Sequence, residues 1–516
     1  MNNFENKLLN TPLKDILLKE KIFDELLPFD EYHLVMAQTD FILNIHNKKA
    51  VKSYFYRIAP FEGSYIITAG LAAFLSKVEN FSYSQIISYL ENKGYKKEYI
   101  DYLKTRDKIS VKIYSLPENT VAFPNEPIII LETNLHDARI LEGILLSEMN
   151  FASLVATKWH RIRNAACACP IMEFGRRRAQ NSLKASLYSY MAGINGTSNC
   201  EVNNIFGIPS SGTMGHEFIQ SFDSEFESFD KWLDINPDKP VLLIDTINTL
   251  ESGLENAAKA FLKHKESMQA SNNWAKIGVR IDSGDLAYLA VQCYEQLSKR
   301  LGTENVTIVL SNDLEENSIQ DIFTQLNQAG KSHIIKHISF GIGTKGATAW
   351  GDPALGGVCK ISELEDNYIL KISNHNEKTT IPGNLRSAFV KDKNGEYVTS
   401  LIFFHDEDYK NTGRFLHIFD DSKYMINSSA YEIGQPRQSL VYISNGKTSA
   451  FEGKFSSQSL LEIRQNSVHD LECLDWSYKR IVKPHRAKVS LSEKVFNVKK
   501  YMTLNMLLQM DKNKSI

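Results

Sequence analysis

The segment GVRIDSGDL, residues 278–286, joins a short apolar strand to a glycine-containing polar turn and the start of a helix. Asp282 and Asp313 stand 31 residues apart, and a period of about 30 residues is typical of a repeated strand–helix–strand unit. The series therefore predicts parallel strands covered by helices, in a barrel or an open sheet. Five further segments show the same pattern of a short apolar run followed by a polar turn. They are IMEFGRRRAQ (171–180), IFGIPSSGTMGHEF (205–218), VLLIDTINT (241–249), VTIVLSNDLEE (306–316) and HISFGIGTKG (337–346).

The flanking regions have a different pattern. Residues 1–150 predict an N-terminal α+β domain in which helices alternate with aromatic and apolar strands, followed by a long amphipathic helix from about Asp137 to Ala166. Residues 151–365 contain the α/β units and are predicted to carry the active site. Residues 366–516 show no repeat, and we expect them to complete the first domain and to cover the α/β domain.

Composition narrows the function classes. The 516 residues contain 59 Lys and Arg against 61 Asp and Glu, so charge gives no reason to expect a nucleic-acid or membrane-surface protein. A hydrophobic content of 43% excludes a largely disordered chain. The six cysteines lack zinc-site spacing, and neither a signal-peptide core nor a membrane-length apolar run is present. We therefore expect a cytoplasmic protein with reduced thiols.

Carboxylates recur directly after the predicted strands. Asp245, Asp282 and Asp313 each follow an apolar run, and the carboxyl ends of parallel strands form the ligand-binding face of α/β folds. Each aspartate alone could equally cap the next helix, but three in register favour a shared site. Arg280 and Asp282 lie two residues apart on a strand and so project to the same side, as an internal ion pair or as ligands for an anion and for ribose hydroxyls or hydrated magnesium.

Three other segments fit an anionic, planar ligand. The turn GIGT, residues 341–344, is either a simple tight turn or a backbone cradle for phosphate. His216 follows Gly215 at a predicted helix start, where it is structural or acts as a base or phosphoryl acceptor. FGRRR, residues 174–178, is either a solvated basic face or places one arginine in the pocket while Phe174 stacks on a flat ring.

Taken together, these motifs resemble the nicotinate phosphoribosyltransferase family of type II phosphoribosyltransferases. The resemblance implies an irregular (β/α) barrel with a second α+β domain formed from both chain ends. It implies formation of nicotinate mononucleotide and pyrophosphate from nicotinate and 5-phosphoribosyl 1-pyrophosphate in NAD biosynthesis, with ATP as co-substrate, magnesium, and a homodimer with shared active sites. The matching segments are FDEYHLVMAQ (29–38), YFYRIAPFEGSY (54–65), EFGRRRAQ (173–180), GTSN (196–199), GIPSSGTMGHEF (207–218), LLIDTINTL (242–250), VRIDSGDL (279–286), LSNDLEE (310–316), FGIGT (340–344) and KPHRAKVSLS (483–492).

The resemblance also implies roles for single residues. His216 matches the phosphorylated histidine and, with Asp282, would be catalytic, while Asp282 and Asp313 would face magnesium. Tyr32 matches a ring supplied across the dimer interface. The nicotinate site would comprise Tyr32, Phe174, Arg177, Ser198, Thr213 and Arg280. The site for the phosphoribosyl donor would comprise Asp282, Ser283, Gly284, Asn312, Asp313, Gly341, Gly343 and Thr344.

One position bears on specificity, and two depart from the family pattern. Ser198 aligns with an aspartate of the nicotinamide-using relatives, and loss of that negative charge favours a carboxylate substrate. Asn248 replaces a common aspartate, and Glu62 replaces a common glycine. Three alternatives stay open: a nicotinamide or quinolinate enzyme, another barrel enzyme that acts on a sugar phosphate, and a non-catalytic nucleotide-binding scaffold.

Overall fold

A computed structural model describes residues 3–20, 27–373, 378–419 and 425–514. The chain forms two compact units. The first comprises residues 1–8 and 158–351, and the second comprises residues 9–157 and 352–516. The second unit therefore draws on both ends of the chain, as the family resemblance implies.

The first unit alternates strands and helices. Its strands are β6 (Ile171–Glu173), β7 (Gly196–Thr197), β8 (Val241–Leu243), β9 (Gly278–Ile281), β10 (Thr307–Ser311) and β11 (Ile338–Ile342). Its helices are α8 (Ser182–Met191), α9 (Cys200–Phe206), α10 (His216–Gln220), α11 (Glu225–Ile235), α12 (Leu254–Ala270), α13 (Leu286–Leu301), α14 (Glu316–Gln328) and α15 (Thr344–Ala347), with a π-helix at Thr249–Gly253 and 3-10 turns at Trp274–Lys276 and Ser332–His337.

The six strands form one parallel sheet in the order β7-β6-β11-β10-β9-β8. Neighbours in the sheet are also neighbours along the chain, and β11 returns to pair with β6, which is the cyclic strand order of a barrel. Among the described residues, no ladder joins β7 to β8. The α/β fold is thus confirmed, whereas closure into a barrel stays a prediction.

The second unit is built on antiparallel pairing. Its strands are β1 (Lys49–Tyr56), β2 (Ile66–Ile67), β3 (Ser110–Ser115), β4 (Val121–Ala122), β5 (Ile129–Asn134), β12 (Gly357–Leu364), β13 (Asn367–Tyr368), β14 (Leu385–Lys391), β15 (Tyr397–Phe404), β16 (Arg414–His417), β17 (Met425–Asn427), β18 (Glu432–Ile433), β19 (Ser439–Asn445), β20 (Ser449–Phe451) and β21 (Val489–Leu491). Its helices are α2 (Leu13–Glu20), α3 (Glu31–Ile42), α4 (Leu71–Asn80), α5 (Ile87–Asn92), α6 (Lys97–Lys104), α16 (Leu460–Glu472) and α17 (Glu493–Lys514).

The sheets of this unit mix strands from the two chain ends. A seven-stranded antiparallel sheet has the order β13-β12-β1-β5-β3-β19-β20, so the early strands β1, β3 and β5 hydrogen-bond to the late strands β12 and β19. A six-stranded sheet, β17-β16-β21-β15-β14-β18, and a β2-β4 pair complete the unit. The prediction of an α+β domain formed from both chain ends is confirmed.

Two helices cross the division between the units along the chain. These are α1 (Asn3–Leu9) and the 31-residue α7 (Leu135–Ala165), which agrees with the predicted amphipathic helix. By length and composition, α7 is apolar enough to cross a membrane, but 67% of its most apolar window is buried inside the protein. That burial is typical of a core helix.

One predicted strand is wrong. In IFGIPSSGTMGHEF, Ile205 and Phe206 are the last residues of α9, which Gly207 ends with a φ of 70°. Phe206 is fully buried, so an apolar pair at a helix end gives the same sequence signal as a short buried strand. Pairing in this segment is limited to a single bridge between Ser210 and Thr197.

Candidate active site

The carboxyl ends of β8, β9 and β10 lie side by side because these strands are parallel neighbours. Arg280 in β9 is paired in register with Leu243 of β8 and Val309 of β10. The residues that follow the three strands therefore emerge along one edge of the sheet. This arrangement gathers side chains that are up to about 70 residues apart in sequence.

Arg280 is the centre of a hydrogen-bonded cluster. Its Nη1 donates to Thr213 Oγ1 at 3.0 Å, and its Nε donates to Ser311 Oγ at 2.9 Å. Its Nη2 lies 3.0 Å from Asp282 Oδ1, which also accepts a 2.6 Å hydrogen bond from Ser311 Oγ. The expected same-side projection of Arg280 and Asp282 is confirmed, and Thr213 is brought to them.

Phe174 forms a wall of this cluster. Its ring centroid is 5.7 Å from the Arg280 guanidinium carbon. Gly341, inside β11, lies against the ring, since a Cβ added there would stand 2.5 Å from Phe174 Cε2. Gly341 thus allows the aromatic ring to approach the strand. The site therefore combines a flat apolar ring with a cation beside it.

His216 and two aspartates form the second part of the site. His216 Nδ1 lies 3.0 Å from Thr246 Oγ1, while its Nε2 is 3.9 Å from both Asp245 Oδ1 and Asp282 Oδ2. Asp245 Oδ2 accepts hydrogen bonds from the Asp282 backbone N–H at 2.9 Å and from Ser283 Oγ at 2.6 Å. The buried Oδ1 of Asp245 has no hydrogen-bond partner within the described parts of the chain. The structure therefore brings His216 close to both Asp245 and Asp282.

The turns that follow β9 and β10 have unusual backbone conformations. Gly284 has a φ of 80°, which a residue with a side chain rarely adopts. Asn312 and Asp313 are exposed and have φ values of 120° and 41°. Gly343 immediately precedes Thr344, the first residue of α15. These residues border the same sheet edge, but among the described contacts none joins Asp313 to Asp282.

Some predicted nicotinate residues are not brought into contact with Arg280. Arg177 is exposed in the turn after β6, and Ser198 is half-buried after β7, where its backbone N–H donates to the Glu173 carbonyl at 2.8 Å. Tyr32 belongs to α3 of the second unit, and 51% of its surface is exposed. Their predicted roles stay predictions.

Sequence reasoning missed several residues that build the site. Asp245 was recognised on the ligand face without a role, and nothing in the sequence singled out Ser311 or Thr246. Glu173 belongs to the segment EFGRRRAQ, but no role was predicted for it. Its buried carboxylate accepts hydrogen bonds from the Gly175 N–H, from Ser186 Oγ at 2.8 Å and from Thr197 Oγ1 at 2.5 Å. A glutamate ending a buried strand was the available signal.

Helix capping is the alternative role for an aspartate that follows a strand, and near this site the structure shows both roles. Asp245 bonds to the next strand's turn instead of capping a helix, whereas Asp285 caps α13 by accepting from the Tyr288 N–H at 3.1 Å. Asn248 caps the π-helix by accepting from the N–H groups of Leu250 and Glu251. Since capping needs only an acceptor oxygen, asparagine can replace aspartate at position 248.

Fold and site together define an α/β protein with a cluster of arginine, histidine and aspartate side chains at the carboxyl ends of parallel strands. Three sequence models match the chain: the nicotinate phosphoribosyltransferase N-terminal domain at residues 27–150, the nicotinate phosphoribosyltransferase family at 169–402, and the nicotinate phosphoribosyltransferase C-terminal domain at 390–499. The chain belongs to the nicotinate phosphoribosyltransferase family of enzymes.

Relatives of known name and structure agree with this placement. The nicotinate phosphoribosyltransferase of Bacillus subtilis is 31% identical over 480 residues, with 90% of this chain and 92% of that protein covered. Nicotinate phosphoribosyltransferase 2 of Arabidopsis thaliana is 29% identical, with 92% and 94% covered. The crystal structure of human nicotinic acid phosphoribosyltransferase shares the fold, with a TM-score of 0.72, 22% identity and coverage of 92% and 99%.

Proposed function

We propose that this protein joins nicotinate to the ribose of 5-phosphoribosyl 1-pyrophosphate, forming nicotinate mononucleotide and pyrophosphate in NAD biosynthesis. The observation that carries the proposal is the Arg280 cluster beside Phe174. A guanidinium has five N–H donors, and three are used by Thr213, Ser311 and Asp282. The remaining two can bind the carboxylate of nicotinate while its ring stacks on Phe174.

The chemistry needs orientation more than acid–base catalysis. The pyridine nitrogen already carries the lone pair that attacks the anomeric carbon, and pyrophosphate leaves as the new C–N bond forms. Holding the two substrates in line contributes several kcal/mol, on the order of 7–11 in the best intramolecular cases. Asp282 links the two halves of the site, since it contacts Arg280 and faces His216. It is therefore placed to contact the ribose between nicotinate and pyrophosphate.

The residues present fit magnesium. Asp282 and the unpartnered buried oxygen of Asp245 supply hard carboxylate ligands, and Mg²⁺ in such sites is commonly held by one or two carboxylates plus substrate phosphates. In the described parts of the chain, no group of three or more His, Cys, Asp or Glu side chains could hold a metal by itself. Asp282, with Asp245 or Asp313, would hold the ion, which would neutralise charge on the leaving pyrophosphate.

We further propose that ATP hydrolysis is coupled through His216. Thr246 engages Nδ1, which leaves Nε2 to accept the γ-phosphoryl group as ADP departs. Water later cleaves the phosphohistidine to release phosphate. In the interval, the phosphorylated imidazole adds negative charge and acceptor oxygens beside Asp245 and Asp282, which favours binding of the donor with its magnesium.

A homodimer belongs to the same proposal. The helix α3 carries Tyr32 and the exposed apolar residues Val35 and Ile42, and the exposed Leu43 directly follows its last residue. Exposed apolar residues grouped on one helix favour contact with another protein surface. Covering them in a dimer would allow Tyr32 to reach the site of the partner subunit.

The test is product formation with and without ATP. We expect nicotinate mononucleotide from purified protein, nicotinate and the donor, with ATP raising the apparent affinity for the donor; absence of product would refute the function. His216→Ala should abolish acid-labile phosphorylation from ATP. The control is His264→Ala, because His264 is paired with Asp230 at 2.8 Å and does not contact the site. Unchanged labelling of the His216 variant would refute the phosphohistidine.

A further inference from the structure

A buried lysine lies near the turn after β10, which the family resemblance assigns to the phosphoribosyl donor. The Lys158 side chain is only 2% exposed, and its Nζ lies 2.8 Å from Glu315 Oε2 and 2.8 Å from Glu316 Oε2. Arg161 Nε donates to Glu316 Oε1 at 2.9 Å. A buried ammonium group is costly unless it is paired, so Lys158 fixes the positions of both glutamates.

Glu315 differs from Glu316 because it also faces Lys345 at the start of α15. Its Oε1 lies 3.6 Å from Lys345 Nζ, and Lys345 directly follows Thr344. The Glu315 backbone N–H donates to Ser318 Oγ at 2.8 Å, which holds the start of α14. The Glu315 carboxylate thus stands between a buried lysine and the turn that follows β11.

The turn that Glu315 follows needs such support. Asn312 and Asp313 both have positive φ values, 120° and 41°, in a region that residues with side chains adopt at a cost in free energy. Conformations of this kind persist only where the surroundings hold them. Glu315 lies two residues beyond Asp313, so its anchoring to Lys158 restricts the exit of the turn.

The two carboxylate oxygens of Glu315 each face a lysine. Oε2 lies 2.8 Å from Lys158 Nζ, and Oε1 lies 3.6 Å from Lys345 Nζ. The Glu315 side chain therefore connects the buried Lys158 to Lys345.

We propose that Glu315, held by Lys158, is a positioning residue for the phosphoribosyl donor. It sets the turn carrying Asn312 and Asp313 against the turn carrying Gly343 and Thr344, so that one donor molecule can contact both. Glu315 acts through these turns and does not touch the donor. The inference rests on the proposed function and on the donor site that the family resemblance implies for these two turns.

The test compares two neighbouring glutamates. Glu315→Gln should raise the KM for 5-phosphoribosyl 1-pyrophosphate about tenfold and leave the KM for nicotinate within about twofold, because small misplacements of binding groups have large kinetic effects. Glu316→Gln is the matched control, since Glu316 pairs with Lys158 and Arg161 but not with Lys345. It should lower the thermal midpoint and leave both KM values within about twofold. A purely structural cluster would give neither variant a selective effect on the donor.

A second pair of variants keeps the proposal testable if Glu315→Gln does not fold. Lys345→Met should reproduce the donor-selective KM increase, and Lys345→Arg should restore the wild-type value. An unchanged donor KM in Lys345→Met, or equal increases for both substrates, would overturn the proposal. Calorimetric titration of the donor into wild-type and variant proteins measures the same selectivity without turnover, so failure of the enzymatic function and failure of the positioning role remain distinguishable.

Discussion

Each of the two units contains a cluster of charged and polar side chains, and the clusters differ in how fully their hydrogen-bonding capacity is used. In the second unit, the Asp137 carboxylate is completely buried and ion-paired with Arg106, with further hydrogen bonds from Tyr83, Ser110 and Asn134. In the first unit, the buried Oδ1 of Asp245 has no hydrogen-bond partner among the residues that the structure describes, and the side chains of Asp282 and His216 are 29% and 41% exposed.

This difference in hydrogen bonding distinguishes charged residues that stabilise the fold from charged residues that can bind a ligand. A carboxylate whose acceptor sites are all used inside the protein can only stabilise the fold. A carboxylate with an unused buried oxygen retains capacity for a ligand, and the fold bears the cost of that oxygen until the ligand binds. The comparison therefore predicts that changes in the Asp137 cluster alter stability, whereas changes in the Arg280 cluster alter activity.

The largest expected effect is on stability. Asp137 is fully buried, and Asp137→Asn removes the charge that pairs with the half-buried Arg106; breaking a buried pair costs about 3–5 kcal/mol. Urea denaturation should show this loss in the free energy of unfolding, while kcat of the folded enzyme is retained. The control is Asp101→Asn at the exposed pair with Lys97, which should leave the unfolding curve unchanged. If Asp137→Asn lost kcat but kept its full free energy of unfolding, the assignment of a purely structural role to Asp137 would be wrong.

The pH dependence of the same variant checks the cause. Burial by itself raises the pKa of Asp137, but the hydrogen bond from His136 and the charge and hydrogen bonds of Arg106 outweigh burial and lower the pKa well below its usual value. The stabilisation is therefore present above the unfolded-state pKa of about 4 and is lost as pH falls through the lower folded-state pKa. Asp137→Asn should remove this acid-dependent part of the wild-type stability profile.

The next effect is on catalysis. Arg280→Lys keeps the charge but cannot reproduce the three-sided contact with Thr213, Ser311 and Asp282. We expect kcat/KM for nicotinate to fall about 10²–10³-fold with little change in thermal midpoint, as for removal of a preorganised donor. Arg300→Lys, at a partly exposed pair with Glu255, controls for the substitution itself and should change neither quantity. Equal activity of Arg280→Lys and wild type would remove Arg280 from the site.

The smallest expected effect concerns substrate choice. Ser198→Asp should lower kcat/KM for nicotinate about tenfold more than for nicotinamide, because a carboxylate repels the charged substrate and accepts a hydrogen bond from the carboxamide. Ser198→Asn has a similar size without the charge and should show no such selectivity. If both substrates lose activity equally in Ser198→Asp, the specificity argument is wrong.

Prediction from sequence was most successful for local patterns. The period near 30 residues, the apolar strand cores and the long helix α7 were all readable, because helix and strand periodicities are properties of adjacent residues. The wrongly predicted strand around Phe206 marks the limit of this approach. A short buried apolar run at the end of α9 has no periodicity that distinguishes it from a strand.

The sequence by itself determined that charged residues follow the strands, and that Arg280 in β9 and Asp282 directly after it project to the same side, because side chains alternate along an extended chain. Only the tertiary structure decided which of these groups keep hydrogen-bonding capacity that the protein itself does not use. The contacts of Arg280 with Thr213 and Ser311, and the position of the buried Asp245 Oδ1 beside His216, depend on the register of parallel strands and on the path of the loops between them. Those are set by packing between distant segments, which no local pattern encodes.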